Sequence, residues 1–181
     1  MDQNNTDILA RCRKGDRKAQ KELYDLYSPA LYSLCLRYMG NRQQAEDILH
    51  DGFITIFEHI GDLNNETSMR AWMNSIMIHA ALKSIRRQAK LQIVASDETL
   101  NSSPHPDSVD INYNNYDIQI ILSAINRLPL YMRTIFNMHD VEGYTYQEIA
   151  HTLGIKETTA RGYLFRAKEI LKQELAHFRE Q

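Results

Sequence analysis

The residues of this sequence best suited to chemistry are cations on a predicted helix. The stretch YTYQEIAHTLGIKETTARGYLFRAKEIL, which begins at Tyr144, reads as two helices joined by a tight turn at Gly154. Thr145 and Glu148 have the spacing of a capping box, in which each side chain satisfies a backbone N–H of the other residue. In a helix-turn-helix the second helix enters the major groove of DNA, so this stretch predicts DNA binding.

The second helix of this stretch divides into an apolar and a polar face. The polar face bears Arg161 and Arg166, which suit guanine edges or phosphates, and Phe165, which suits a thymine methyl or a sugar. A plain antiparallel helix pair with a solvated charged face would show the same division, so the pattern leaves that alternative open. The residues that share the apolar face are Ala160, Leu164, Ala167, Leu171 and Leu175.

The net charge of the chain is low for a DNA-binding protein, at −2 with a pI near 6.4. Part of the reason is residues 96–116, which contain 4 acidic residues and no Lys or Arg. The residues before them carry 13 basic and 11 acidic side chains, and the residues after them carry 8 of each. The placement of charge is therefore more informative than the total.

Helical periodicity dominates the chain on both sides of that acidic segment, and no convincing alternating strand is present. We expect Asp16 to cap a helix that Ser28-Pro29 interrupts. The acidic segment is rich in Asn, Ser and Pro and cannot bury a core of its own. The sequence thus predicts an all-α fold with two small helical domains, 1–93 and 117–181, joined by a flexible linker over 94–116.

The predicted helix that begins near Arg42 has a core face and an acidic face. Ile54 lies on the acidic face, framed by Asp47, Asp51 and Glu58, which suits docking of a basic partner helix. A solvated face with one stray Ile is the alternative. The residues that we expect to face the core are Ala45, Ile48, Leu49, Gly52, Phe53, Ile56 and Ile60.

A further helix, from about Ser68 to Lys90, becomes basic towards its end. Lys83, Arg86, Arg87 and Lys90 recur at spacings of three and four, which predicts one strip for a phosphate backbone. His79 lies one turn before Lys83 on that strip. Trp72, near the start of the helix, is the single Trp and is more typical of a core anchor than of a base-stacking platform.

The sequence gives little support for a membrane protein, a secreted protein or an enzyme. No apolar run is long enough to span a bilayer, and the first residues do not resemble a secretory signal, so we expect a cytoplasmic protein. Cys12 and Cys35 form no motif and read as buried hydrophobes. The dipeptides His50-Asp51 and His139-Asp140 are similar to metal-dependent phosphohydrolase motifs, but the further ligands of such a site are missing, so we expect no enzyme, metal or cofactor.

These motifs, in this order, resemble a sigma factor of the sigma-70 family, and most of all the short extracytoplasmic-function group that keeps only regions 2 and 4. The segment QAEDILHDGFITIFEHI resembles region 2.2, and AWMNSIMIHAALKSIRRQAK resembles regions 2.3 and 2.4. The segment INRLPLYMRTIFNMHDVEGYTYQEIAHTLGIKETTARGYLFRAKEIL resembles region 4. The resemblance covers nearly all of the chain except the linker. A stand-alone helix-turn-helix regulator is the alternative, but it does not explain the region 2 segments.

The resemblance implies a transcription initiation factor whose partners are core RNA polymerase, through its β′ coiled coil and β flap, and promoter DNA. An anti-sigma factor is a further partner of many family members. Core polymerase binding would fall to Asp47, Asp51, Ile54 and Phe57. Recognition of the −10 element would fall to Trp72, His79, Lys83, Arg86, Arg87 and Lys90. Recognition of the −35 element would fall to Lys156, Thr158, Thr159, Arg161, Gly162, Phe165, Arg166 and Lys168.

This chain departs from the family pattern at four positions. His79 stands where many members have Asn, and Lys83 where many have Asp. Tyr163 replaces a common basic residue after Arg161-Gly162, and Lys156 stands where Ser or Pro often begins the recognition helix. These departures concern the promoter sequence that is read rather than the class of protein.

Overall fold

The computed structural model describes residues 3–63, 69–95 and 116–179, and within these ranges it is all-α, as predicted. No β-strand occurs in them. The helices of these ranges are α1 Gln3–Arg13, α2 Arg17–Met39, α3 Arg42–His59, α4 Met69–Ala95, α5 Tyr116–Arg127, α6 Leu130–Phe136, α7 Tyr146–Leu153 and α8 Glu157–Arg179. Residues 96–115, most of the predicted linker, lie outside the described ranges.

The chain divides into two compact units. The first unit consists of Met1–Leu36 and Gln43–Lys83, and the second of Arg37–Arg42 and Ser84–Gln181. Helix α2 is therefore divided between the two units, because its last residues and the turn after them, Arg37–Arg42, belong to the second unit. Among the described residues, no helix combines the length and apolar character that a bilayer crossing needs.

The turn between α1 and α2 is built by Gly15 and Asp16. Gly15 has φ +76°, and the N–H of Asp16 donates to the carbonyl of Arg11 at 3.2 Å, which closes α1 in a Schellman motif. Asp16 then accepts a hydrogen bond from the N–H of Lys18 at 2.8 Å, so the predicted cap of α2 is confirmed.

The predicted interruption of α2 at Ser28-Pro29 is wrong. The helix is continuous from Arg17 to Met39 with Pro29 inside it. Proline removes one helical hydrogen bond, but Leu23 and Leu31 on either side of it are fully buried, and Cys35 one turn further on is also buried. Packing on both sides of Pro29 holds the helix together, and this overrides the local preference of the proline.

The core of the first unit is formed by apolar faces of its helices, on which buried residues recur every three or four positions. All seven residues predicted for the core face of the helix that begins at Arg42 are buried, six of them on α3 and Ile60 in the 3-10 turn that follows it. Gly52 allows close approach to α4, because a Cβ at that position would lie 2.7 Å from Met77 Cε. Cys12 and Cys35 are free and buried, and burial raises the pKa of Cys35 to about 12.

The core of the second unit joins α5, α6 and α8. Phe136, Tyr163, Ile170 and Leu175 pack around its edge. Its buried residues are Ala124, Ile125, Leu128, Met132, Ala167 and Leu171. The same helix α8 therefore supplies both the core of the unit and the exposed face described below.

A buried guanidinium closes the end of α2 within the second unit. Arg133 on α6 is 4% exposed, and its side chain donates to the carbonyls of Tyr38 at 3.1 Å, Met39 at 2.7 Å and Asn126 at 2.7 Å. The Asn137 side chain donates to the carbonyl of Arg37 at 2.9 Å. Helix-terminal carbonyls lack partners inside their own helix, and the partial negative charge at a helix C-terminus favours a cation.

Candidate DNA-binding and protein-docking surfaces

The helix-turn-helix predicted from Tyr144 onward is formed by α7 and α8. The Thr145 hydroxyl accepts from the N–H of Glu148 at 3.2 Å, and the N–H of Thr145 donates to the Glu148 carboxylate at 2.8 Å, so the capping box is confirmed. The bond from the Thr145 N–H lowers the pKa of Glu148, and so does a bond that the Thr145 hydroxyl donates to the same carboxylate at 2.7 Å. Gly154 ends α7 with φ +68°, as expected for a left-handed glycine after a helix.

The capping box gives a testable prediction for Thr145→Ala. We expect it to lower the free energy of unfolding by about 1 kcal/mol, because the Glu148 N–H loses its acceptor and the Glu148 carboxylate loses the hydroxyl that donates to it at 2.7 Å. Glu148 has a lowered pKa in the fold, so its contribution is present above its unfolded pKa and is lost as pH falls through its folded pKa. The penalty of Thr145→Ala in urea titrations should therefore shrink at acidic pH.

Thr152→Ala is the matched control, since it removes the same atoms from the body of α7 and leaves the cap intact. It should cost little or nothing, because alanine has the higher helix propensity. Equal losses for the two variants, or a Thr145→Ala penalty that grows at acidic pH, would contradict the capping interpretation.

Helix α8 presents the two faces that its sequence predicts. Ala160, Leu164, Ala167 and Leu171 are buried, and Leu175 packs at the edge of the core. The residues predicted for the −35 element are all exposed, namely Lys156, Thr158, Thr159, Arg161, Gly162, Phe165, Arg166 and Lys168.

An aromatic side chain and an open glycine mark the centre of this exposed face. Phe165 is 68% exposed, the largest exposure among the exposed large hydrophobic residues of the described chain. A Cβ at Gly162 would meet nothing within 4 Å, so no described neighbour within the protein requires glycine at this position. A phenyl ring gains nothing from exposure to water, whereas contact with a thymine methyl or a sugar would bury it.

Two of the exposed cations are held by carboxylates of the same unit. Arg161 Nη2 donates to Glu157 Oε1 at 2.7 Å, and its Cζ lies 4.2 Å from the centre of the Tyr146 ring. Lys168 Nζ donates to Asp140 Oδ1 at 2.8 Å. The charges of this face are thus partly balanced within the protein, which agrees with its modest net charge.

Helix α4 carries the residues predicted for the −10 element. His79, Lys83, Arg86 and Arg87 are exposed, and Trp72 is half-buried. The side chain of Lys90 lies outside the described residues. His79 Nδ1 is 2.6 Å from the carbonyl of Ser75. A carbonyl oxygen only accepts hydrogen bonds, so Nδ1 carries the proton and donates it to Ser75. The imidazole ring is therefore hydrogen-bonded to the backbone of its own helix.

The acidic face of α3 is exposed as predicted. Asp47 and Asp51 face solvent, and Ile54 between them and Glu58 is 49% exposed. Phe57 is half-buried, with its ring centroid 5.9 Å from that of Phe53. An apolar residue inside an acidic frame suits a partner that brings both apolar and basic side chains.

The side chains of the described chain do not gather at a metal site. No group of three or more His, Cys, Asp or Glu comes together among the described residues in a way that would hold an ion. His139 of the second His-Asp dipeptide instead packs on the Tyr146 ring, with centroids 4.5 Å apart.

Sequence reasoning missed the residues that surround Arg161. The spacing of Glu157 and Arg161 is that of an i, i+4 ion pair and was available as a signal. Tyr146 lies on another helix, and nothing in the sequence pairs it with Arg161, because the contact depends on how α7 packs against α8.

Comparisons with known proteins agree with this arrangement. Residues 23–91 match the family described as Sigma-70 region 2, and residues 118–171 match Sigma-70, region 4. Together these ranges cover more than half of the 181 residues.

Two relatives show the same similarity over most of this chain. The chain is 28% identical over 167 residues to an ECF RNA polymerase sigma factor SigE of Mycolicibacterium smegmatis, covering 90% of this chain and 65% of that protein. It is 25% identical over 177 residues to an ECF RNA polymerase sigma-E factor of Haemophilus influenzae, covering 93% of each.

A solved structure shares the fold. It is the sigma factor RpoE in complex with the anti-sigma factor NepR from Bartonella quintana, with a TM-score of 0.54 and 20% identity. The match covers 86% of this chain and 96% of that one.

Proposed function

Because the chain belongs to the sigma-70 family of RNA polymerase sigma factors, in its extracytoplasmic-function group, we propose that it is a transcription initiation factor. It binds core RNA polymerase and directs the enzyme to specific promoters by recognising their −10 and −35 elements. The chain itself catalyses no reaction, since bond formation belongs to the polymerase. It acts in the cytoplasm, where polymerase and promoter DNA meet.

The observation that carries this proposal is the exposed Ile54 within the acidic frame of Asp47 and Asp51. A stand-alone helix-turn-helix regulator needs a DNA-reading helix and a dimer contact but has no use for this face. A sigma factor needs it to dock on the β′ coiled coil of core polymerase. Region 4 docks on the β flap and holds α8 near the −35 element.

The two DNA-binding roles fall to different helices. The exposed face of α8 enters the major groove at the −35 element, with Arg161, Phe165 and Arg166 at its centre. The basic end of α4 tracks the phosphates of the −10 element as the strands separate. We assign residues 1–93 and 117–181 to these two roles and residues 94–116 to the linker that joins them.

Modest charge is sufficient for such a protein. Two weak DNA readers on one polymerase gain affinity through effective concentration, so neither needs to bind DNA tightly alone. An anti-sigma factor that covers the α3 and α8 faces is a further proposed partner.

The experiment that tests the proposal is size-exclusion chromatography of the protein mixed with core RNA polymerase. We expect the wild-type chain to co-elute with core polymerase and Asp51→Arg to bind about tenfold more weakly, because a reversed charge meets a basic partner. Asp25→Arg is the matched control. It makes the same charge change on α2, where Asp25 is exposed and, among the described residues, pairs with Lys21 alone.

Each outcome is decisive. Co-elution that is weakened by Asp51→Arg and kept by Asp25→Arg supports the sigma factor role. A folded wild-type chain that fails to co-elute would favour the stand-alone regulator, and a stable dimer with a palindromic DNA preference would establish it.

A further inference from the structure

The guanidinium of Arg161 is held on two sides. Its Cζ lies 4.2 Å above the centre of the Tyr146 ring, and Nη2 donates to Glu157 at 2.7 Å. The Tyr146 ring is itself packed against His139, with centroids 4.5 Å apart. These two contacts restrain the guanidinium, although 57% of the Arg161 side chain is exposed.

The other arginine of the exposed face has no such support. Arg166 is exposed, and within the described part of the chain it makes no hydrogen bond, ion pair or ring contact. Among the described residues, no contact restrains its long side chain.

This difference separates two kinds of DNA contact. Reading a guanine edge needs both N–H groups of the arginine fork in the plane of the base, and a side chain that is already ordered loses less entropy on binding. A phosphate accepts hydrogen bonds over a wide range of approaches and tolerates a mobile cation. The guanidinium has five N–H groups, so the one bond to Glu157 leaves enough for a bidentate contact.

We propose that Tyr146 is a positioning residue for sequence readout: its ring holds Arg161 so that Arg161 reads a guanine edge, whereas Arg166 holds a phosphate. This inference rests on the proposed function, because it assigns roles within the same DNA-reading face. It assigns the specificity of that face to a contact between α7 and α8 rather than to α8 alone.

The test uses the full chain in complex with core polymerase and a duplex promoter library with a randomised upstream element. Arg161→Ala identifies the position at which wild-type enrichment for guanine depends on Arg161. We expect Tyr146→Leu to weaken the guanine preference at that same position by roughly two- to fivefold, the size of an exposed cation–π contact. Tyr146→Phe keeps the ring and should restore the preference.

Two further variants separate positioning from folding. Tyr131→Leu removes another partly buried Tyr ring of the second unit, one that stacks on Tyr163 at 6.2 Å, and it should leave the preference unchanged. Arg166→Ala should leave every base preference unchanged and lower the slope of log affinity against log salt by about 1.

The outcomes distinguish this inference from the proposed function. If the wild-type complex enriches no sequence, the proposed function fails. If it does enrich sequences, and Tyr146→Leu keeps the Arg161-dependent guanine or Tyr131→Leu loses it equally, the positioning role alone is overturned. Loss in Tyr146→Leu with rescue in Tyr146→Phe supports it.

Discussion

Combining Lys83→Glu with Arg87→Glu is expected to reduce open-complex formation by the polymerase complex about a hundredfold, or roughly 3 kcal/mol. Both side chains are exposed one turn apart on α4, where the proposed function places the DNA backbone of the −10 element. Each substitution removes a phosphate contact and sets a carboxylate against a phosphate. Arg86, which already has a partner within the protein, is left unchanged.

The measurement is permanganate reactivity of unpaired thymines on a promoter that the wild-type complex selects from the library. Over a salt series, the slope of log affinity against log salt should fall by about 2, because two phosphate contacts are lost. Binding of the double variant to core polymerase should stay at the wild-type level, since α3 is untouched.

The matched control is Lys14→Glu with Lys18→Glu. These two lysines are also exposed and four residues apart, so the net charge changes by the same amount. They lie at the turn between α1 and α2 and not on α4. Equal losses in the two double variants would mean that total charge, and not the α4 strip, determines open-complex formation.

Amphipathic periodicity was sufficient to predict the faces of α3 and α8. Every residue of α3 expected in the core is buried, and Ala160, Leu164 and Ala167 of α8 lie in the core as expected. A helix that packs on one side must repeat its apolar residues every three or four positions, so this information is local to the sequence.

Local signals failed where packing over a distance decides the structure. Pro29 predicted a helix end, but buried neighbours on both sides keep α2 continuous. Helical periodicity also gives no sign that α6 is followed by a π-helical turn over Asn137–Val141. That widened turn accompanies the burial of Asn137, whose partner is the carbonyl of Arg37, 100 residues earlier in the chain.

In the candidate site, too, exposure can be predicted from local sequence and the contacts between helices cannot. The helical periodicity of α8 predicts that its cations are exposed, but it does not predict which side chains they contact. Tyr146 reaches Arg161 only because the turn at Gly154 folds α7 back on α8, and Asp140 reaches Lys168 across 28 residues. Sequence patterns therefore predicted which side chains face solvent, and the structure adds which of them are held in place.

The clearest stability prediction concerns Gly40. Its φ is +63°, and a Cβ there would lie 2.6 Å from Cζ of the buried Arg133 guanidinium, with an even closer contact to Nη1. We expect Gly40→Ala to lower the free energy of unfolding by roughly 3 kcal/mol or more. Backbone strain supplies about 1 kcal/mol or more, and displacement of Arg133 from the carbonyls of Tyr38 and Met39 supplies the rest.

Gly15→Ala measures the cost of the backbone strain alone, without a steric clash. Gly15 has φ +76° and nothing within 4 Å of a built Cβ, so its substitution should cost only about 1 kcal/mol in urea unfolding followed by circular dichroism. In an Arg133→Met background the guanidinium is gone, and Gly40→Ala should then cost no more than Gly15→Ala. An unchanged Gly40→Ala penalty in that background would show that the clash with Arg133 is not its cause. A reduced penalty would establish that the buried arginine makes Gly40 necessary, since its guanidinium occupies the space where any other side chain would begin.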